Sequence, residues 1–230
     1  MLLSVIIPCF NEQKNIDKNI PLIMNYFKKI KIKYEIIIID DYSNNKIKFS
    51  NKKIKILRNK KNYGKGYSIK RGIKNSKGDW ILFSDSDMSV EIKQFQKFIK
   101  FTKKFDLICG SRGLKESVIL KRQSFLREFL GKLFNYYLKI LCLTTFQDTQ
   151  CGFKLLNRSK FIKIVDKLSI NGFGFDVDLL VLAKINNLNI IEIPIRWKNS
   201  ENSKLVIFRD PAYMFFEVII IFYKKLFNKY

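Results

Sequence analysis

Histidine is missing from this sequence. Its absence excludes a Ser-His-Asp relay and removes the commonest ligand of a zinc site. Cys9, Cys109, Cys142 and Cys151 show no C-x-x-C spacing, so a zinc cluster is not expected from them either. They read as reduced residues of a cytosolic protein. No apolar run reaches the ~18 residues needed to span a bilayer. The nearest, Pro211 to Tyr223, is shorter and carries Glu217. Met1 leads directly into LLSVIIP without a basic n-region, so no signal peptide is read. The GKG at Gly64 to Gly66 does not have the G-x-x-x-x-G-K-[ST] spacing of a phosphate-gripping P-loop. It reads either as a plain turn before a helix or as a direct substrate contact through Lys65.

Acidic residues are scarce: 20 Asp and Glu stand against 44 Lys and Arg, a formal charge of +24. Such an excess invites a nucleic-acid reading. Only eight of the basic residues are Arg, however, and the lysines are spread along the whole chain. No motif gathers stacking aromatics with Lys on one face, so nucleic acid is not an expected partner. The charge reads as solvated surface with an attraction to an anionic membrane face.

What is present is enough for one domain. The chain has 230 residues, of which 47% are hydrophobic. Leu2 to Ile7, Tyr34 to Ile39, Ile54 to Leu57, Trp80 to Phe83 and Asp106 to Cys109 read as short buried strands. Helical spacing separates them: Ile16, Ile20, Ile23, Met24 and Phe27, then Ile69 and Ile73, then a helix from Glu91 to Phe101. The alternation predicts an α/β fold with a mostly parallel central sheet flanked by helices. Further on, a long basic amphipathic helix is expected from about Leu120 to Leu143, either on a membrane surface or packed on the sheet. A polar break follows at Gln147 to Lys154, then helices from about Phe161 and Phe175 and a strand over Ile190 to Ile195. The apolar tail from Pro211 to Lys229 predicts an amphipathic helix that lies on a membrane rather than through it.

Carboxylates gather at strand ends. Asp40 and Asp41 follow the second strand, and Asp85 and Asp87 follow Trp80 to Phe83. In open α/β sheets ligands collect beyond the carboxyl ends of strands. Two carboxylates at i and i+2 on such a turn can share one hard cation, Mg²⁺ or Mn²⁺. The same pair can equally be ordinary loop acids that cap the next helix.

Together the motifs resemble the inverting family 2 glycosyltransferases with the nucleotide-diphospho-sugar transferase (GT-A) fold. The match is to the branch that loads sugars onto polyprenyl phosphates, and most of all to the dolichyl-phosphate β-glucosyltransferases. SVIIPCFNEQ, EIIIIDDYS, NYGKGYSIKRG and SDSDMS carry the first half of the resemblance. Arg122 to Arg127, DTQCGFK, FGFDVDLL, IEIPIRW and Ser203-Lys204 carry the second, so it spans about Ser4 to Pro211.

The resemblance implies a catalytic domain over 1–210, with a nucleotide-sugar and metal half (1–113) and an acceptor half (114–210), followed by the helix of 211–230. It also implies transfer of a hexose, glucose from UDP-glucose, to a polyprenyl or dolichyl monophosphate. Asp85 and Asp87 would hold the metal and the donor diphosphate. Pro8, Phe10, Asn11, Glu12 and Asp41 would contact the nucleoside, and Lys65 the diphosphate. Arg112, Arg122 and Arg127 are candidates for the acceptor phosphate. Asp148, with Gln150, would shape the sugar pocket. Asp178 is either catalytic or a capping acid of the helix that follows Gly174. Eukaryotic members carry an N-terminal anchor where this chain opens on its first strand, so attachment is expected to be peripheral, on the cytoplasmic face of a membrane. The alternatives are a mannosyltransferase using a guanine nucleotide and a family 2 transferase with a saccharide acceptor, for which Asp178 would be the base.

Overall fold

Runs of isoleucine and valine set the first two strands of the sheet. The structure, a computed structural model, describes residues 1–200 and 209–230. The motif residues Ser203 and Lys204 lie outside the described residues. β1 (Leu2–Cys9) and β2 (Lys33–Asp40) pair in parallel, from Leu2 beside Lys33 to Cys9 beside Asp40. β-Branched runs that are apolar on both faces suit a strand covered from both sides. Between them α1 (Gln13–Lys29) crosses over and buries Ile16, Ile20, Ile23 and Phe27.

β3 (Ile54–Arg58), α2 (Lys65–Asn75), β4 (Trp80–Ser84), α3 (Phe95–Ile99) and β5 (Leu107–Ser111) continue the first half. The second half runs through β6 (Val118–Lys121), α4 (Phe125–Ile140), β7 (Phe153–Asn157), α5 (Arg158–Ile164) and α6 (Phe175–Ile185). β8 (Ile190–Pro194), β9 (Arg196–Lys198) and α7 (Arg209–Leu226) complete it. The main sheet has the order β3-β2-β1-β4-β7-β5-β8, and β6 pairs with β9 in a second, two-stranded sheet. β7 is antiparallel to both its neighbours, and the other main-sheet pairs are parallel. The carboxyl ends of β1, β2, β4, β5 and β8 therefore share one edge, and β7 begins there. Residues alternate between two cores. Ile6, Ile37, Phe83 and Leu107 face α2, α6 and α7, while Val5, Ile36, Leu82 and Ile108 face α1 and α3.

The sequence-based expectations need three corrections. The helix expected over Leu120 to Leu143 begins only at Phe125, because Val118 to Lys121 pair with β9 as a strand. β-Branched Val118 and Ile119 favour that pairing. The helix expected from Glu91 to Phe101 is a single 3₁₀ turn followed by the five residues of α3. The polar break at Gln147 to Lys154 ends inside β7, a central strand that contains a lysine and that the alternation of strands and helices does not call for.

α4 and α7 each bury one stripe and expose another. α4 buries Phe134 and Leu138 but leaves Phe125, Phe129, Leu133, Tyr136 and Ile140 in solvent along one face. α7 buries Met214, Val218 and Ile221 while exposing Tyr213, Phe216, Ile220 and Tyr223. The Phe215 ring joins the two helices, 5.6 Å from Phe134 and 5.0 Å from Tyr137. Among the described residues no helix is long and apolar enough to cross a membrane.

Candidate active site

β4 ends at Ser84, and the chain then turns sharply, with the Met88 amide donating to the Asp85 carbonyl at 3.2 Å and Met88 at φ 53°. That turn presents both acids of SDSD. The Lys65 ammonium lies 2.6 Å from Asp85 Oδ1. Burial alone would lower the lysine's pKa, but the charges of Asp85, Asp176 and Asp87 hold it above its usual value. Asp87 is pushed up by burial and by the Asp85 charge, against hydrogen bonds from Ser89. The two carboxylates are thus near enough for their charges to repel, and the Lys65 ammonium pairs with Asp85. Gly152, just before β7, touches Asp85: its carbonyl accepts the Asp85 amide at 3.2 Å, and a Cβ there would collide with the carboxylate.

Lys65 reaches this place because the turn before α2 is fixed from below. Gly64 sits at φ 103°, open to glycine and strained for other residues. Asp41, buried at the end of β2, accepts from the Gly64 amide (2.7 Å), the Tyr63 amide (3.0 Å) and Asn59 Nδ2 (2.6 Å). Its carboxylate holds that turn in place. Pro8 belongs to β1, Phe10 is half-buried at its end, and Asn11 bridges to the loop after β2. The Asn11 amide donates to Ser43 Oγ and its Oδ1 accepts from the Asn44 amide, both at 2.8 Å. Glu12 takes a hydrogen bond from Asn15. These residues form the rim beside β2.

On the opposite side of Asp85, Arg112 and Asp148 form a fork. Arg112 Nε and Nη2 lie 2.6 and 2.8 Å from the two oxygens of Asp148, and the Arg112 amide donates to the same carboxylate at 2.9 Å. Burial would raise the Asp148 pKa, but the Arg112 charge and hydrogen bonds hold it below the usual carboxylate range. Glu192 of β8 fixes the loop by accepting the Gln147 and Asp148 amides. Asp148 is therefore the partner of Arg112 rather than a free base. Arg127, in the first turn of α4 on its inward side, feels the charges of both Arg112 and Asp87. Arg122 is exposed in the connection between β6 and α4. The Cys151 thiol beneath is pushed up to about 12, chiefly by burial, and stays protonated.

Asp176 and Asp178 take opposite sides of α6, as residues two apart on a helix must. Asp176 pairs with the fully buried Lys154 of β7, whose ammonium also donates to the carbonyls of Thr149 (3.0 Å) and Cys151 (2.8 Å). Its charge reaches Lys65 and Asp85. Asp178 instead accepts from the Ser169 and Ile170 amides, at 2.7 and 3.0 Å, and from the Tyr230 hydroxyl at 2.6 Å. Asp178 thus anchors the loop before α6, while Asp176 on the other side of the helix meets Lys154. A lysine within the apolar FKLL run was the available signal for Asp176, since a buried ammonium needs a partner.

A family model described as Glycosyl transferase family 2 matches residues 4–165. A dolichyl-phosphate beta-glucosyltransferase of Dictyostelium discoideum is 35% identical over 244 residues, covering 97% of this chain and 75% of that protein. The Mus musculus protein of the same name is 31% identical over 227 residues, covering 90% and 70%. Among solved structures, mannosyl-3-phosphoglycerate synthase from Rubrobacter xylanophilus aligns with a TM-score of 0.72 at 15% identity, over 100% of this chain and 75% of that one. Glucosyl-3-phosphoglycerate synthase from Mycobacterium tuberculosis, in complex with Mn²⁺, UDP and glucosyl-3-phosphoglycerate, gives 0.65 at 15% identity, over 97% and 79%. At such identity the likeness shows the fold, the GT-A arrangement, and nothing of the substrate.

Proposed function

The chain belongs to glycosyl transferase family 2, and from that premise we propose that it transfers glucose from UDP-glucose to a polyprenyl monophosphate of the dolichyl type, inverting the anomeric carbon. The observation that carries the reading is the opposition of two charge clusters at one sheet edge. Lys65 with Asp85, Asp87 and Asp176 stands on one side, and Arg112 with Arg127 on the other.

The donor set fits a hard divalent ion. Asp85 and Asp87 offer carboxylate oxygens, and among the described residues no three His, Cys, Asp or Glu gather to hold a metal. Two carboxylates are what Mg²⁺ or Mn²⁺ takes from a protein when substrate phosphates complete its shell. Such an ion supplies positive charge opposite the diphosphate that departs.

Lys65 adds a fixed positive charge at the same place, preorganised by the Asp41-bound turn. The acceptor phosphate is already anionic near neutral pH. One of its oxygens attacks the anomeric carbon from the face opposite UDP. The bond from that carbon to the diphosphate oxygen breaks, and its electron pair leaves with UDP. No general base is required, in keeping with the absence of His and the engagement of Asp148 and Asp178 elsewhere. Arg127, beside the clamped Arg112, receives the acceptor phosphate.

The exposed apolar stripes of α4 and α7, with Lys132, Lys139, Lys224 and Lys225 on the same helices, suit the cytoplasmic face of an anionic membrane. Arg127 stands at the first turn of one of them, where a lipid phosphate would arrive.

The purified protein, given a short polyprenyl phosphate and either UDP-glucose or GDP-mannose, tests the reading. Glucose transfer that chelator abolishes and Mg²⁺ or Mn²⁺ restores is the expected result. Transfer from GDP-mannose alone, or full activity in excess chelator, would overturn it. Sedimentation with phosphatidylserine vesicles tests the membrane face, and no binding at low salt would refute that part.

A further inference from the structure

The segment 169–174 leads into α6, is held by residues of α6 and α7, and packs its backbone directly on the turn that carries Lys65. The Asn171 carbonyl accepts the Tyr67 amide at 3.2 Å. A Cβ on Gly64 or Gly66 would run into the carbonyls of Asn171 and Ile170, so the two backbones touch without side chains between them. Whatever holds 169–174 thus holds the Lys65 turn.

One end of the segment is held from α6, where Asp178 takes the Ser169 and Ile170 amides and the Tyr230 hydroxyl in turn steadies Asp178. The other end is held from α7. Glu217 Oε1 accepts the Gly172 amide at 3.2 Å, and Oε2 accepts the Gly174 amide at 2.7 Å. A Cβ at either glycine would strike the glutamate, so the carboxylate fills the concavity that the two glycines leave. Gly174 is also the residue before α6, so the glutamate's negative charge sits at the amino end of the helix that presents Asp176.

We infer that Glu217 is a positioning residue of the donor site: by gripping the amides of Gly172 and Gly174 it keeps the 169–174 segment against the Gly64–Gly66 turn, so that Lys65 meets Asp85 and Asp176 stays in register with them. Glu217 touches no substrate in this arrangement. Its effect passes through backbone, and it belongs to the sugar-nucleotide side of the reaction, not to the acceptor side. The inference rests on the reaction proposed above for its kinetic readout and on the geometry alone for its structural one.

Glu217→Gln, which keeps shape and removes charge, and Glu217→Ala are compared with the wild type in the full chain. Hydrogen exchange read by mass spectrometry is expected to quicken in peptides covering 64–67 and 169–174 in both variants, while β1 and β2 keep their protection. The KM for UDP-glucose is expected to rise about tenfold in Glu217→Gln, with the KM for polyprenyl phosphate unchanged within about twofold. Unchanged exchange at 64–67 overturns the inference whatever the activity, as does an equal rise in both KM values. A wild type that transfers no glucose would instead overturn the proposed reaction, and the exchange pattern would still decide the role of Glu217.

Discussion

Lys154 and Asp176 form an ion pair wholly inside the protein, linking the one antiparallel strand of the sheet to the helix beneath the candidate active site. Burial alone would discharge the lysine, but the Asp176 charge holds its pKa above the usual value. The remaining protons of the ammonium go to the carbonyls of Thr149 and Cys151. The pair therefore ties the 148–152 loop, β7 and α6 together at one atom.

Lys154→Met should destabilise the fold by about 3–5 kcal/mol, because Asp176 would be left buried without a counter-charge. Lys154→Met combined with Asp176→Leu should regain much of that loss yet remain inactive. Urea unfolding of the wild type and the two variants, with glucose transfer assayed alongside, checks both statements. A double variant as unstable as the single one would show that the pair does more than neutralise itself.

Asp87→Asn should leave the melting temperature within a few degrees and cut transfer on the order of a hundredfold, since one oxygen ligand loses its charge where the diphosphate departs. Calorimetry and a radiolabelled transfer assay measure the two effects. Full activity would remove Asp87 from the site.

Gly152→Ala places a methyl group against the Asp85 carboxylate. The expected outcome is a loss of transfer comparable to that of Asp85→Asn with far less loss of stability than a core substitution. An Asp85 pair that tolerates the methyl, seen as wild-type kinetics, would mean that the carboxylate has room to rotate.

Arg127→Ala should raise the KM for polyprenyl phosphate more than that for UDP-glucose, because the proposed reaction puts the acceptor phosphate at Arg127, within reach of the Arg112 and Asp87 charges. Equal changes in the two constants would assign it a structural role. Arg122→Ala, at an exposed position in the connection before α4, should change neither by more than about twofold.

The clamp of Arg112 on Asp148 has a pH signature. Asp148 titrates below its unfolded value of about 3.9, so its contribution to stability is full above that pH and fades as pH falls through the folded value. The stability gap between wild type and Asp148→Asn should therefore be constant from pH 7 to 5 and shrink toward pH 3. Urea midpoints across that range test it, and a gap that widens in acid would contradict the ion pair.

Much of the parallel half of the fold was legible, because its strands are uninterrupted apolar runs and each ends in polar or acidic residues. EIIIIDD marks both β2 and its carboxyl end, and WILFSDSD does the same for β4. β7 was not legible. Its FKLLN run is short, holds a lysine, and enters the sheet against the direction of its neighbours, so neither periodicity nor the βα rhythm announces it. The acids of FGFDVDLL were seen as a pair, but local pattern does not say which side of α6 faces the sheet. Lys154, on the strand that periodicity does not announce, is what turns the Asp176 side of α6 toward the sheet. For Asp41, the strand-end position is legible in the sequence, but its hydrogen bonds from the Tyr63 and Gly64 amides are not.

The reversed direction of β7 has a geometric consequence. Every other main-sheet strand leaves the sheet at the edge where Asp85 stands, and β7 enters there. The 147–152 loop is consequently tethered at both ends, by Glu192 of β8 at its start and by the pairing of Phe153 with Ser84 at its finish. Extra residues in that loop have nowhere to go except outward over the carboxylates. Its length acts as a ruler for whatever occupies the space above them.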